Sequence, residues 1–375
     1  MKILILFAIL TATAPAFSQE QSFTIGAIDF YGHASLDVDR LRAALPLREG
    51  DQVSPEPKER IVAQVTQAIK RATGRDVAEV APVCCDDRGR LLIYIGLRDE
   101  SARQTSYNTA PRGSARLSPT AIKIHRDAEQ ALLNAISKGV WGEDESQGYA
   151  LSVDPETRAT QLALHEYAAR NSTSVRRVLA STRDVEQRQI AAEILGYAGR
   201  SREQIRALIR ATHDVDSGVP NNAIRALVVL ARSSSEASAI IPGECFIDLL
   251  NSVIWTDRNK SVALLAVLTK GRDARLLACL REHALTSLVE MARWSYAGHA
   301  DTARLVLGRA AGIDEKTLTA MVERQEIEPI IKILTTQKNI AVNATRLYPA
   351  RCFNKYLVPK IYSEKSGKRC QENPR

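Results

Sequence analysis

Histidine, cysteine and carboxylate clusters are where hydrolytic, redox or metal chemistry would begin, so their spacing is read first. Six histidines are scattered: His33, His125, His165, His213, His283 and His299. His165-Glu166 opens like the zinc-binding H-E-x-x-H helix, but Ala169 stands where the second histidine must be, so the two imidazoles needed on one helical face are absent. These histidines read as solvated or packed side chains. Neither a G-x-S-x-G elbow nor a phosphate-cradling G-x-x-x-x-G-K-[ST] loop occurs. Ser366-Gly367-Lys368-Arg369 carries the Gly-Lys pair of such a loop, but no strand is read before it. Asp86-Asp87 has the charge to hold a cation, but solvated carboxylates in a turn give the same pattern. The sequence therefore predicts no catalytic, cofactor-binding or metal-binding set, and the chain reads as a non-enzyme without cofactor.

The six cysteines are Cys84, Cys85, Cys245, Cys279, Cys352 and Cys370. None forms a C-x-x-C pair, which argues against a zinc knuckle or a dithiol redox site. An even count permits disulfides in an oxidising compartment. Cys352 and Cys370 are the best candidate pair, since they bracket a weakly periodic tail that a cross-link would restrain by about 3 kcal/mol. Cys245 and Cys279 either pair between neighbouring helices or are small buried residues.

That compartment is suggested by residues 1–19. Lys2 precedes an apolar run from Ile3 to about Ala14, followed by small-residue sites at Ala14-Pro15-Ala16 and Ala16-Phe17-Ser18. The pattern is a signal peptide, with a core too short for ~30 Å of hydrocarbon. The expected destination is the periplasm or beyond, by a bacterial Sec-type route.

Residues 21–99 alternate as a small α/β module. Phe23–Tyr31 reads as a strand with an irregularity near Gly26, Asp37–Leu45 as a short helix, and 55–73 as a longer amphipathic helix ending at Gly74. Val77–Val83 and Arg90–Leu97 are strands joined by the Asp86–Gly89 turn. In the last strand Leu92, Tyr94 and Gly96 alternate with Leu91, Ile93, Ile95 and Leu97. The strand end Ile28–Gly32, the helices Leu36–Leu47 and Ile61–Ile69, and the closing hairpin resemble the POTRA domain over about a fifth of the chain. That resemblance implies polypeptide binding by strand addition at the sheet edge. No barrel strands are read after it, so an outer-membrane translocator is not expected.

Residues 100–118 lack apolar periodicity and read as a linker. A helix follows from Pro119 to Lys138, and then the chain repeats itself. Asp154…Arg158 recurs as Asp184…Arg188, and Asp214 opens a third unit at the same interval. Tyr167-Ala168-Ala169-Arg170 is answered by Tyr197-Ala198-Gly199-Arg200, with second helices expected at Val175–Ala180 and Arg202–Thr212. A fourth unit is set at Asp257, and a fifth runs from His299 to Ala311. The expected role of Asp154, Asp184, Asp214 and Asp257 is to cap helix starts. Residues 119–337 resemble HEAT-like repeats of the armadillo type. This implies a mainly α fold, an α-solenoid of stacked helix pairs, preceded by the small α/β domain; Gly218 and Lys260 depart from the repeat's usual arginine.

The formal net charge of +8, from 51 basic and 43 acidic side chains, invites a nucleic-acid reading until it is located. From Gln337 to Arg375, nine basic residues against two acidic ones hold +7 of it. The body is nearly balanced, so a nucleic-acid clamp is not expected. Arg346, Arg351, Lys355, Lys360, Lys365, Lys368 and Arg369, interleaved with tyrosines, form a candidate patch for an anionic envelope surface in residues 338–375. The leading expectation is an exported interaction scaffold, its concave helical face holding a protein partner. The alternatives are an enzyme subunit like the HEAT-like phycobilin lyases, and an envelope binder acting through the basic tail.

Overall fold

The computed structural model describes residues 22–34, 36–54, 58–98, 105–140 and 142–340. The expected signal peptide, the Cys352–Cys370 pair and the seven-residue basic patch lie outside the described residues. Within them the chain is predominantly helical, with a small curled sheet at its N-terminal end.

The N-terminal module runs β1 (Phe23–Tyr31), α1 (Val38–Ala44), β2 (Gln52–Val53), α2 (Lys58–Thr73), β3 (Val77–Val83) and β4 (Leu91–Leu97). The sheet order is β2-β1-β4-β3; β1 pairs with β4 in parallel and β3 with β4 antiparallel. The irregularity at Gly26 is a register shift between Ile25 and Ala27, where a Cβ would strike the Asp86 carboxylate and Arg90. β4 is buried along its whole length, as a strand covered on both faces must be. Leu91, Ile93, Ile95 and Leu97 meet Leu41 of α1 and Ile61, Val65 and Ile69 of α2. Leu92 and Tyr94 face the other way and join Ala27 and Tyr31 in the core of the helical body.

That body comprises α3 (Pro119–Ser137), β5 (Glu143–Asp144), β6 (Leu151–Ser152), α4 (Pro155–Ser181), α5 (Val185–Gly196), α6 (Arg202–Ala211), α7 (Gly218–Ser233) and α8 (Ser235–Ile240). It continues through α9 (Trp255–Leu268), α10 (Ala274–His283), α11 (Leu285–Ala292), α12 (Ala297–Ala310), α13 (Glu315–Glu323) and α14 (Glu328–Ile340). Helices α3, α4, α5, α7, α9 and α12 pack in succession, each on the next. Helix α6 bridges α4 and α7, while α11, α13 and α14 lean on α12. The β5–β6 hairpin lies against α4.

One expected break is absent. The sequence suggests that the first helix of the repeat stops near Arg170, yet α4 runs unbroken to Ser181. The polar residues in between bond back along their own helix: Asn171 Nδ2 donates to the Tyr167 carbonyl and Ser174 Oγ to that of Asn171, which holds such side chains within a helix. In the matching stretch Gly199 takes φ +106° and α5 ends; Ala169, at the equivalent place, lets α4 continue.

The stretch read as a linker is a strap from residue 105 to 118, bonded to three successive helix approaches. Thr105 Oγ1 donates to the Asp248 carbonyl. Tyr107 Oη donates to Asp257 Oδ2 at 2.6 Å. Asn108 N donates to the His213 carbonyl at 2.7 Å, and Gly113 N to that of Ser181 at 2.7 Å. Leu117 N donates to Gln187 Oε1 at 2.7 Å. The strap thus passes the segments before α9, α7 and α5 in the reverse of chain order. Its composition is polar because its main chain spends its hydrogen bonds on these partners rather than on a ladder of its own.

Candidate functional site

The repeat aspartates divide into two kinds. Asp154 Oδ1 accepts the Thr157 N–H at 2.8 Å, and Asp184 Oδ1 the Gln187 N–H at 3.2 Å. These main-chain bonds hold both carboxyls below their ordinary pKa. Asp214 is not a cap: the residue before α7 is Ser217, and Asp214 takes the Arg188 guanidinium in two bonds of 2.8 and 3.0 Å. Asp257 is the third residue of α9 and accepts from Tyr107 and Ser252. Aligning the fourth unit on Asp257 therefore sets it three residues out of register. Arg188 and Arg258 are each the fourth residue of their helix, and each donates to the carbonyl six residues earlier, Thr182 and Ser252. By that bond Asp257 corresponds to Gln187, and both meet the strap. Helices α5 and α9 share this arginine, and in each the acidic partner comes from a later segment: Asp214 for Arg188, Glu290 for Arg258.

Glu290 also ties the two cores together. Buried at 6% exposure, it accepts Gly32 N at 2.7 Å and Ala34 N at 3.2 Å and holds Arg258 Nη1 at 3.2 Å. The Arg258 guanidinium lies 4.9 Å from the centre of the Tyr31 ring. Trp294 Nε1 donates to the Phe30 carbonyl, and Asp29 accepts both Ser295 N and Ser295 Oγ. Tyr94 stacks on Trp255 at 5.0 Å and its hydroxyl lies 2.6 Å from His299 Nδ1. None of these residues bears a sequence motif; the only signal was two tryptophans in an aromatic-poor chain.

A groove of about 270 Å³ lies across α3, α4, α5, α7 and the β5–β6 hairpin. Its floor includes Leu164, Gly196 and Ala226. A Cβ on Gly196 would stand 3.0 Å from that of Ala226, so small residues let α5 and α7 approach closely. Its rim carries Glu129, Glu143, Glu193 and Arg225, with Tyr149 and Tyr197 between them. His125 Nε2 and Glu193 are 3.0 Å apart; burial alone would lower this histidine's pKa, but Glu193 raises it. Arg225 pairs with Glu143, and Arg232 with Glu145 at 3.3 Å. Lys260, on α9, is half-buried and close to Arg225 and Arg232. Burial, reinforced by Arg225, brings its pKa down to about 8.

The remaining sequence candidates stand apart from the groove or serve it as supports. His165 Nδ1 is 2.8 Å from the Tyr197 carbonyl and its ring stacks on Tyr149 at 4.2 Å. His213 is buried and burial pushes it down to about 4. Asp86 is engaged by Arg90 at 2.7 Å and by the N–H groups of Arg88 and Arg90, which explains the turn without a cation. Cys279 is a buried free thiol, so it does not pair with Cys245. Cys84 and Cys85 are chain neighbours whose sulfurs lie side by side; this adjacent pair is not a disulfide and cross-links no two parts of the fold. Among the described residues no cluster of three metal-ligating side chains occurs, and no helix is long and apolar enough to cross a membrane.

No family model matches the chain, and no curated protein matches it. Among solved structures, an engineered protein known from its crystal structure is 19% identical, over 52% of this chain and 86% of that one. Its TM-score of 0.35 is too low for the likeness to bear on fold or function.

Proposed function

We propose that this protein is an exported, non-enzymatic scaffold whose helical body is a HEAT-like solenoid and whose groove holds a polypeptide partner. The observation that carries the reading is the groove: an apolar floor of small residues, open along several helices, under a rim of paired charges and tyrosines. That combination suits an extended segment with alternating apolar and polar side chains better than a compact metabolite. The recurrence of the fourth-position arginine in α5 and α9 supports repeat units. In the POTRA-like module, β3 ends the sheet and would supply the edge for a partner strand, with Pro82 removing one donor from it.

The test is site-specific photo-crosslinking in the native host. A photoreactive side chain at Asn222 or Leu133, both lining the groove, should link to a discrete protein, whereas one at the exposed Glu203 of α6 should not. Equal capture at all three positions, or none in the groove, would overturn the reading.

A further inference from the structure

The acidic stretch Glu143-Asp144-Glu145 has a partner that the functional reading leaves unexplained. The hairpin carrying it is pinned to the helices by four arginines. Glu143 pairs with Arg225 and Glu145 with Arg232, both on α7. Asp144 lies 3.8 Å from Arg158 of α4, and Arg200 Nη2 donates to the Ser146 carbonyl at 2.8 Å. The two glutamates are the more covered members, with side chains 22% exposed against 45% and 48% for their arginines. A short acidic strand is therefore seated on a basic row with its carboxylates turned inward.

The row continues past the hairpin. Lys260 follows Arg225 and Arg232 onto α9, forms no ion pair among the described residues, and is flanked by His299. That imidazole is held neutral by burial, at about 4, helped by the neighbouring Lys260 charge. Three cations on adjacent helices thus share two carboxylates: half-buried Lys260 has no ion pair of its own and feels the attraction of Glu143 against the repulsion of Arg225 and Arg232. A desolvated ammonium whose nearby carboxylate is already engaged by an arginine is costly, and its lowered pKa is the expected consequence.

We propose that the row Arg225–Arg232–Lys260 is the docking site for an acidic, extended polypeptide segment, and that the β5–β6 hairpin is a built-in stand-in for it. The inference rests on the polypeptide-binding reading and adds the partner's chemistry: carboxylates at two-residue spacing, one of them completing Lys260. The hairpin supplies the template, since Glu143 and Glu145 are two residues apart and so lie on one side of an extended strand. A true partner competes with the hairpin, which keeps weakly acidic chains out.

The test uses the full mature chain and a fluorescent peptide copying residues 142–147, read by anisotropy at low and physiological salt. The double variant Glu143→Gln, Glu145→Gln vacates the row and should bind the peptide at least tenfold tighter than the parent. Adding Lys260→Gln should return at least fivefold of that gain. Circular dichroism and melting establish that each variant is folded; Arg232→Gln serves as a second site variant if one is not. A peptide with glutamine at each acidic position should bind neither protein. Equal binding of the glutamine peptide, or no gain in the vacated variant, would overturn the proposal. Binding to anionic vesicles that matches the peptide's and ignores Lys260 would also overturn it, in favour of unselective attraction. If peptide binding fails while crosslinks from Asn222 persist, this inference falls and the polypeptide-binding reading stands.

Discussion

Replacing Glu290 by alanine should loosen the N-terminal module from the helical body, and the size of the effect follows from what the carboxylate leaves behind. Arg258 is 2% exposed and Glu290 4% by side chain, so removing the acid strands a buried cation, which typically costs about 3–5 kcal/mol. Arg258 keeps the Ser252 carbonyl at 2.6 Å and the Tyr31 ring, which holds the cost to the lower part of that range. The buried N–H of Gly32 also loses its acceptor, at about 1–3 kcal/mol unless water enters. Together these give about 4 kcal/mol. Arg258→Met should cost less, because Glu290 would retain the Gly32 and Ala34 N–H groups. The double variant should be milder than the sum of the singles by 2 kcal/mol or more, on the order expected for directly paired groups. Urea unfolding followed by tryptophan fluorescence measures it, since Trp255 and Trp294 sit where the two cores meet. The midpoint for Glu290→Ala should fall by more than about 1 M. A loss below about 1 kcal/mol, or strict additivity in the cycle, would refute the claim that this pair joins the two parts.

Other consequences are equally open to measurement. Burial pushes Asp257 up to about 6, above the ~3.9 of an unfolded aspartate. It therefore stabilises the fold at low pH, and that stability fades as pH rises from 4 through 6, on the order of 3 kcal/mol. His213 and His299, both lowered to about 4, act in the opposite sense, losing stability as pH falls from 6.5 to 4. The Asp257 contribution is thus read as the difference between parent and Asp257→Asn stability curves, which should change across pH 4–6 and be flat above 7. Gly32→Ala should cost over about 3 kcal/mol, because φ is +65° and the new Cβ would run into the Leu97 carbonyl oxygen; Gly50→Ala, at φ +93° in open space, should cost about 1 kcal/mol. Thermal unfolding of the two variants separates steric from conformational strain. Arg188→Met should destabilise by about 3 kcal/mol, and Asp214→Asn beside it should add little; full additivity would deny that the two act as a pair.

The parts legible in the sequence are those where one chemical pattern dominates a short stretch. β1, β3, β4, α2 and α3 follow from short apolar runs bounded by turns or from a single apolar stripe closed by Gly74 or Lys138-Gly139. The paired apolar sets of β4 also announce two covered faces, although not that the second is the helical body. What escaped notice depends on distant partners. Asp184 and Asp214 look alike because both precede helices, but Arg188 claims the second. Asp257 imitates a cap three residues out of register because a repeat is defined by the bond of its arginine, which no spacing displays. Residues 105–118 look featureless because their tertiary partners lie 49 to 150 residues away, as with Ser118 to Tyr167 and Tyr107 to Asp257. In the groove the tyrosines and glutamates were unremarkable one by one; only packing of α4, α5 and α7 brings them to one rim.

The strap alters how such a helical array should behave as it forms. Stacked pairs that touch only their neighbours can grow from any point and fray one unit at a time. Here a strap laid across the approaches to α5, α7 and α9, from a segment made before any of these helices, gives each a long-range contact, the last of which cannot close until Asp257 has arrived. The N-terminal sheet is under the same constraint, since its Tyr31 and Tyr94 face is completed by α9, α11 and α12. Such long-range closures slow folding and bind the units into one transition. The array should therefore unfold as a single body, and cutting the strap near Ala110, at a bond between its anchor points, would be the way to release its units to melt separately.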